Sequence, residues 1–101
     1  MNRDQVIEAL KAHEGELRAV GVTSLSLFGS VARGEAPTHD VDVAVRLGRT
    51  FSKPGLDYFS RLDGLEERIA QILACNVDVV EEPVRKERFQ QAIDKDRVLA
   101  F

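Results

Sequence analysis

The 101-residue sequence predicts a single domain, residues 1–101, of the α/β (α+β) class, with a small mixed sheet flanked by helices. Segments whose apolar residues recur at helical spacing alternate along the chain with short segments in which apolar and polar residues alternate one by one. Gly and Pro residues separate these segments. The composition, 44% hydrophobic and 31% charged, is that of a globular chain large enough for one small core.

Capping residues and apolar spacing mark the first helix. Asn2 is expected to be its N-cap, with Gln5 three residues later in a loose capping box. Val6 and Leu10 lie on one apolar face, and Gly21 is the expected C-cap.

The remaining helices and strands follow from the helical spacing and the strand alternation described above. We expect helices at 2–20, 56–73 and 84–93, one helical turn at 31–35, and strands at 23–28, 40–47, 76–80 and 98–101.

Two carboxylates stand close together on the clearest strand, 40–47, in which valines alternate with Asp40 and Asp42. Side chains alternate across a strand, so both carboxylates point to the same face. Asp is unfavourable in strands, and neighbouring like charges repel, which favours a cation between them. Mg²⁺ is typically held by one or two carboxylates together with substrate phosphates. A strand with a merely solvated outer face is the structural alternative.

A third aspartate, Asp78, lies between two valines in the predicted strand 76–80. If that strand pairs beside 40–47, three carboxylates converge on one surface, where they could hold two metal ions. Glu81 and Glu82 could substitute for Asp78, but we expect both to be exposed at the start of a helix.

A Gly-Ser pair follows the strand 23–28 and precedes the predicted helical turn. Gly29 would let the backbone approach an oxyanion closely, and the Ser30 hydroxyl could donate to a phosphate oxygen. Arg33 could contact a phosphate or a partner's acidic group, or could simply be a surface residue. Lys53 lies in a loop from which it could reach a nucleotide, whereas His39 is expected to have a loop or capping role.

Charge and cysteine content narrow the class of protein. The net charge is −3, with 14 basic against 17 acidic residues, and no basic stripe is present, so strong nucleic-acid binding by this chain alone is not expected. No apolar run approaches the length of a membrane span, and no signal peptide is recognisable. Cys75 is the only cysteine, which excludes an intrachain disulfide and favours a cytoplasmic location.

Taken together, these motifs resemble the signature of the minimal nucleotidyltransferases of the DNA polymerase beta-like nucleotidyltransferase superfamily. The residues that carry the resemblance are Gly29-Ser30, the loop Ala32-Arg33-Gly34-Glu35, Asp40-Val41-Asp42, and Asp78 on a later strand. The sequence departs from the family pattern in two places. The spacer between Ser30 and Asp40 is nine residues, 31–39, one fewer than expected, and His39 stands where the family commonly has Ser.

The resemblance implies a nucleotidyltransferase-like fold and a Mg²⁺-dependent enzyme, with two ions, that transfers AMP or another nucleotidyl unit from ATP to a hydroxyl. Asp40, Asp42 and Asp78 would be the metal-binding and catalytic residues, and Gly29, Ser30 and Arg33 would bind the nucleotide. It also implies a HEPN-domain toxin as the partner and acceptor, with this chain as the antitoxin. The alternative is a non-catalytic antitoxin that neutralises its toxin by binding alone.

Transfer to a polynucleotide or to a small molecule is disfavoured because the chain has little room for a separate acceptor-binding domain. A small α/β domain with an acidic strand and no catalytic role is the remaining alternative. Apolar helix faces in so short a chain also suggest burial against a partner or in a homo-oligomer.

Overall fold

The structure is a computed structural model that describes residues 1–35, 40–51 and 58–101. The expectations for His39 and Lys53, and the first two residues of the predicted helix 56–73, lie outside these ranges. The described helices are α1 (Arg3–Ala12), α2 (Glu14–Ala19), α3 (Gly29–Ala32), α4 (Tyr58–Leu73) and α5 (Glu87–Asp96). The described strands are β1 (Val22–Phe28), β2 (Asp40–Leu47), β3 (Asn76–Glu81) and β4 (Val98–Leu99). Within the described ranges, no helix combines the length and apolar character needed to cross a bilayer.

The first helical segment contains a break that the single helix expected at 2–20 did not include. Its beginning is as predicted, because the Gln5 N–H donates to Asn2 Oδ1 and the Asn2 N–H donates to Gln5 Oε1, both at 2.9 Å. The expected single helix 2–20 is instead divided at His13, whose backbone (φ −106°, ψ 14°) is not helical. The His13 N–H donates to the Leu10 carbonyl, which tightens and ends α1.

Four strands form one mixed sheet in the order β3-β2-β1-β4, which confirms the predicted fold class. Strand β1 runs antiparallel to both β2 and β4, whereas β2 and β3 are parallel. The start of β2, the start of β3 and the end of β1 therefore meet at one edge of the sheet. This edge is where the predicted site residues lie.

The two faces of the sheet are covered differently. Helices α1, α2 and α4 pack on one face and bury the main core, which includes Leu10, Leu25, Val43 and Ile69. Helix α5 covers part of the other face through a smaller cluster around Phe28, Ala44 and Ile93. Asp40 and Asp42 alternate with the core valines of β2, so their side chains belong to the face that α5 covers only in part.

The ion pair between Arg97 and the buried Glu82 attaches the end of α5 to the sheet. Two expectations about this region were wrong. Glu82, expected to be exposed, is 4% exposed and accepts hydrogen bonds from Arg97 and Gln90. Arg97 also donates to Ser26 Oγ at 2.9 Å. The helix expected at 84–93 begins at Glu87, because the backbone of Lys86 is extended (φ −80°, ψ 116°). The Val84 N–H lies outside the helix and donates to Gln90 Oε1 at 2.9 Å.

Candidate active site

Asp42 and Asp78 are direct partners in the parallel register of β2 and β3. Asp40 precedes Asp42 on the same face of β2 and pairs with Asn76. Asp40 and Asp78 are exposed, whereas Asp42 is half-buried. Asp78 was expected to lie near Asp40 and Asp42 only if its strand pairs beside theirs. In the structure, β3 does pair with β2.

The charges of these residues act on one another. Burial raises the pKa of the Asp42 carboxyl, and the negative charges of Asp78 and Asp40 raise it further. The Arg33 guanidinium acts in the opposite direction and lowers the same pKa. The ionised form of Asp42 is therefore disfavoured by its surroundings, and a cation placed between the carboxylates would relieve this repulsion.

Gly29 lies directly against Asp42. Its backbone has φ 74°, a left-handed conformation that favours glycine. A Cβ built at this position would lie 2.3 Å from Asp42 Oδ2 and 3.2 Å from Asp42 Cγ. A residue with a side chain would therefore displace the carboxylate. The half-buried Ser30 follows in α3, which begins at Gly29, two residues before the predicted helical turn.

Arg33 caps the C-terminus of α3 and is held by two carboxylates. Its Nη1 donates to Asp96 Oδ2 at 2.6 Å, and its Nε donates to Glu35. These two hydrogen bonds, from Glu35 first and Asp96 second, raise the pKa of the Arg33 guanidinium. The sequence analysis missed Asp96, which lies 63 residues away along the chain. No local pattern could have indicated a contact over that separation.

An acidic groove of about 420 Å³ adjoins the aspartates. The side chains of Asp63, Glu66 and Glu67 on α4 line it together with Asp40 and Asp78. The sequence analysis did not single out these three α4 residues, although Asp63, Glu66 and Glu67 have the spacing that places side chains on one helix face. The groove gives the surroundings of the predicted site a strongly negative character.

The donor set fits a hard divalent cation, because carboxylate oxygens are the ligands that Mg²⁺ prefers. In the portion of the chain that the structure describes, however, no group of three or more His, Cys, Asp or Glu side chains is arranged to hold a metal ion. Coordination of one ion by all three aspartates would thus require their side chains to turn towards it.

A family model described as a nucleotidyltransferase domain matches residues 3–99 of this chain. No curated protein matches it. Among solved structures, one described as a minimal nucleotidyltransferase has a TM-score of 0.73 and 23% sequence identity, with coverage of 97% of this chain and 95% of that chain.

Two further structures resemble this chain in fold. A toxin–antitoxin structure with AMP-PNP has a TM-score of 0.64 and 22% identity, covering all of this chain (100%) and 73% of that chain. A structure of a tri-AMPylated HEPN toxin from Shewanella oneidensis in complex with an MNT antitoxin has a TM-score of 0.62 and 20% identity, covering 94% and 71% of the two chains. At 20–23% sequence identity, the similarity to these three structures establishes the fold alone.

Proposed function

Because this chain belongs to the nucleotidyltransferase domain family, we propose that it is a Mg²⁺-dependent enzyme that transfers AMP from ATP to a hydroxyl of a HEPN-domain toxin, and so acts as its antitoxin. The observation that carries the proposal is the alignment of Asp42 with Asp78, with Asp40 on the same face and Gly29 against the Asp42 carboxylate.

The proposed residue roles follow from position and charge. Asp40, Asp42 and Asp78 would hold the magnesium ions, which would supply the positive charge that the α-phosphate and the departing pyrophosphate require. Gly29 and Ser30 bind the β- and γ-phosphates at the turn that follows β1. Arg33 adds a positive charge at the same edge, where it offsets phosphate charge.

The reaction is an in-line displacement at the α-phosphorus of ATP. The acceptor hydroxyl oxygen forms a bond to the α-phosphorus, while the bond between the α-phosphorus and the oxygen that bridges the α- and β-phosphates breaks, and that oxygen leaves with pyrophosphate. The Asp78 carboxylate accepts the proton that the hydroxyl loses. Transfer therefore yields an AMP ester on the acceptor and free pyrophosphate.

A protein acceptor fits the surface better than a polynucleotide does. The groove beside the aspartates is lined by acidic side chains, among them Asp63 and Glu66, and these would repel a phosphate backbone. The whole chain also has a net charge of −3. A HEPN toxin as the acceptor is supported by the fold shared with the MNT antitoxin structure.

The experiment is intact-mass spectrometry of a cognate HEPN-domain protein after co-expression with this chain. Wild type is expected to add mass in whole AMP units, and Asp42→Asn is expected to add none. Asp4→Asn is the matched control, because its side chain is 89% exposed and lies on α1. An unmodified toxin that wild type and Asp42→Asn both bind and neutralise would replace this proposal with the non-catalytic antitoxin.

A further inference from the structure

A second cavity, of about 210 Å³, lies between α2 and α4, on the helices that cover the opposite face of the sheet from the aspartates. The α4 residues that line it, Arg61, Gly64, Leu65 and Arg68, follow the i, i+3, i+4, i+7 spacing of one helix face. Its lining is mainly apolar. A ligand pocket for a cofactor is usually about 300–1,000 Å³, so this cavity has the size for a side chain rather than for a nucleotide.

Arg61 is the unusual residue of this cavity. Its Nε is buried, and within the described residues it has no hydrogen-bond partner. The guanidinium carbon lies 5.0 Å from the centroid of the Phe51 ring, a cation–π contact. The neighbouring Arg68, by contrast, is already paired with Glu16. Among the described residues, no hydrogen bond or ion pair neutralises the Arg61 guanidinium, so its charge can pair with an incoming carboxylate.

Gly64 is the second unusual residue. It lies in the interior of α4, where glycine is less favourable than alanine. A Cβ at Gly64 would meet nothing within 4 Å, so packing within the described chain does not explain the glycine. The open space above it forms part of the cavity, next to Val20, which is 43% exposed. The helix surface is therefore open at the position where a partner could approach most closely.

We propose that this cavity is a docking site for a segment of a partner protein that places an aliphatic side chain over Gly64 and an adjacent carboxylate against the Arg61 guanidinium. The apolar lining matches the first group, and the unpaired guanidinium matches the second. The site is separate from nucleotidyl transfer because Arg61, Gly64, Leu65 and Arg68 lie on the face of α4 opposite to the acidic residues that line the groove beside the aspartates. The partner could therefore remain bound while the aspartates are engaged.

The test is an NMR titration of the full chain that follows the Arg61 Nε–H signal, assigned with Arg61→Lys. The probes are the capped dipeptides acetyl-Leu-Glu-amide and acetyl-Leu-Gln-amide. We expect the glutamate peptide to shift the Arg61 Nε–H and Gly64 amide signals, and the glutamine peptide to bind about tenfold more weakly, since it lacks the charge.

Two glycine variants complete the test. Gly64→Leu places an aliphatic side chain in the cavity, at a position where an added Cβ meets nothing within 4 Å, and should abolish the response. Gly15→Ala is the matched control, because Gly15 is also helical with open space around it but does not line the cavity, and this variant should respond as wild type does.

Three results would overturn the proposal. The first is no shift of Arg61 with either peptide, and the second is an equal shift with sodium acetate, which would indicate a site for small anions only. The third is a shift of Arg61 with protein concentration alone that Gly64→Leu removes, since the occupant would then be a second copy of this chain.

Discussion

Asp42 and Asp78 lie side by side on the parallel strands β2 and β3, although α4 separates them along the chain. Two carboxylates in register on adjacent strands repel each other, and burial of Asp42 adds to the unfavourable free energy of its ionised form. Such a pair lowers the stability of the folded protein in the absence of a bound cation. Stability and the proposed activity are therefore expected to respond in opposite directions when one charge is removed.

We expect Asp42→Asn to raise the melting temperature of the metal-free protein by about 2–4 °C, because the amide removes a repelled charge at nearly constant shape. The same variant should reduce AMP transfer by about 100-fold or more, because charge stabilisation dominates this chemistry. The measurements are thermal unfolding in EDTA and the rate of AMP transfer. Asp4→Asn should leave the rate of transfer unchanged and should not raise the melting temperature, because Asp4 lies in the first turn of α1, where a negative charge is favourable. A lower melting temperature for Asp42→Asn would contradict the electrostatic argument.

Gly29→Ala should both destabilise the fold and impair transfer. The left-handed backbone costs a residue with a side chain about 1–2 kcal/mol, and the added Cβ would displace Asp42 Oδ2. Gly34→Ala is the matched control, because Gly34 has a similar φ of 76° but only Arg3 Nη1 nearby, at 4.0 Å. Urea unfolding should show a similar loss for both variants, whereas only Gly29→Ala should lose activity. Equal activity losses would mean that contact with Asp42 is unimportant.

Asp96→Asn should weaken nucleotide binding through Arg33. The Asp96 side chain is only 15% exposed and holds Arg33 Nη1, whereas the Glu35 side chain on the other side of the guanidinium is 53% exposed. Exposed ion pairs contribute little, so Glu35→Gln should have the smaller effect. We expect Asp96→Asn to raise KM for ATP by about 3–10-fold with a smaller change in kcat. If kcat alone falls, Asp96 does not act by positioning Arg33 for the nucleotide.

The Glu82–Arg97 pair should make stability depend on pH in the acid range. The hydrogen bond from Arg97, together with one from Gln90, lowers the pKa of Glu82 below its ordinary value of 4.5, against the opposing effect of burial. Because the folded protein has the lower pKa, this stabilisation is present above about pH 4.5 and is lost as the pH falls through the folded value. Glu82→Gln should be less stable than wild type at pH 7, and the difference should shrink in acid. A pH-independent difference would contradict this assignment.

Arg97→Met should destabilise the protein more than Glu82→Gln, by about 3–5 kcal/mol at pH 7, because it leaves the buried Glu82 charge without its main partner. Arg46, whose Nη2 is 3.7 Å from Glu82 Oε2, is too distant to replace it by a hydrogen bond. Denaturant unfolding at pH 7 measures the loss. A loss of less than about 1 kcal/mol in the free energy of unfolding would mean that this pair contributes no more than an exposed ion pair does.

Local patterns in the sequence determined the elements whose formation depends on near neighbours. The capping box of Asn2 and Gln5 starts α1 as predicted, and the alternating valines predicted β2 with its observed bounds, Asp40–Leu47. The same alternation placed Asp40 and Asp42 on one face, because side-chain direction in a strand repeats every two residues. The roles of these aspartates, and of Gly29, Ser30 and Arg33, in binding metal and nucleotide stay predictions.

Only the tertiary structure decided which distant residues meet. The register of β3 against β2 sets Asp78 beside Asp42, and the docking of α5 sets Asp96 against Arg33. The burial of Glu82, wrongly expected to be exposed, depends on Arg97 returning from beyond α5. A sequence specifies local conformation through neighbouring residues, whereas strand register and helix docking follow from packing of the whole core, so these contacts leave no local pattern to read.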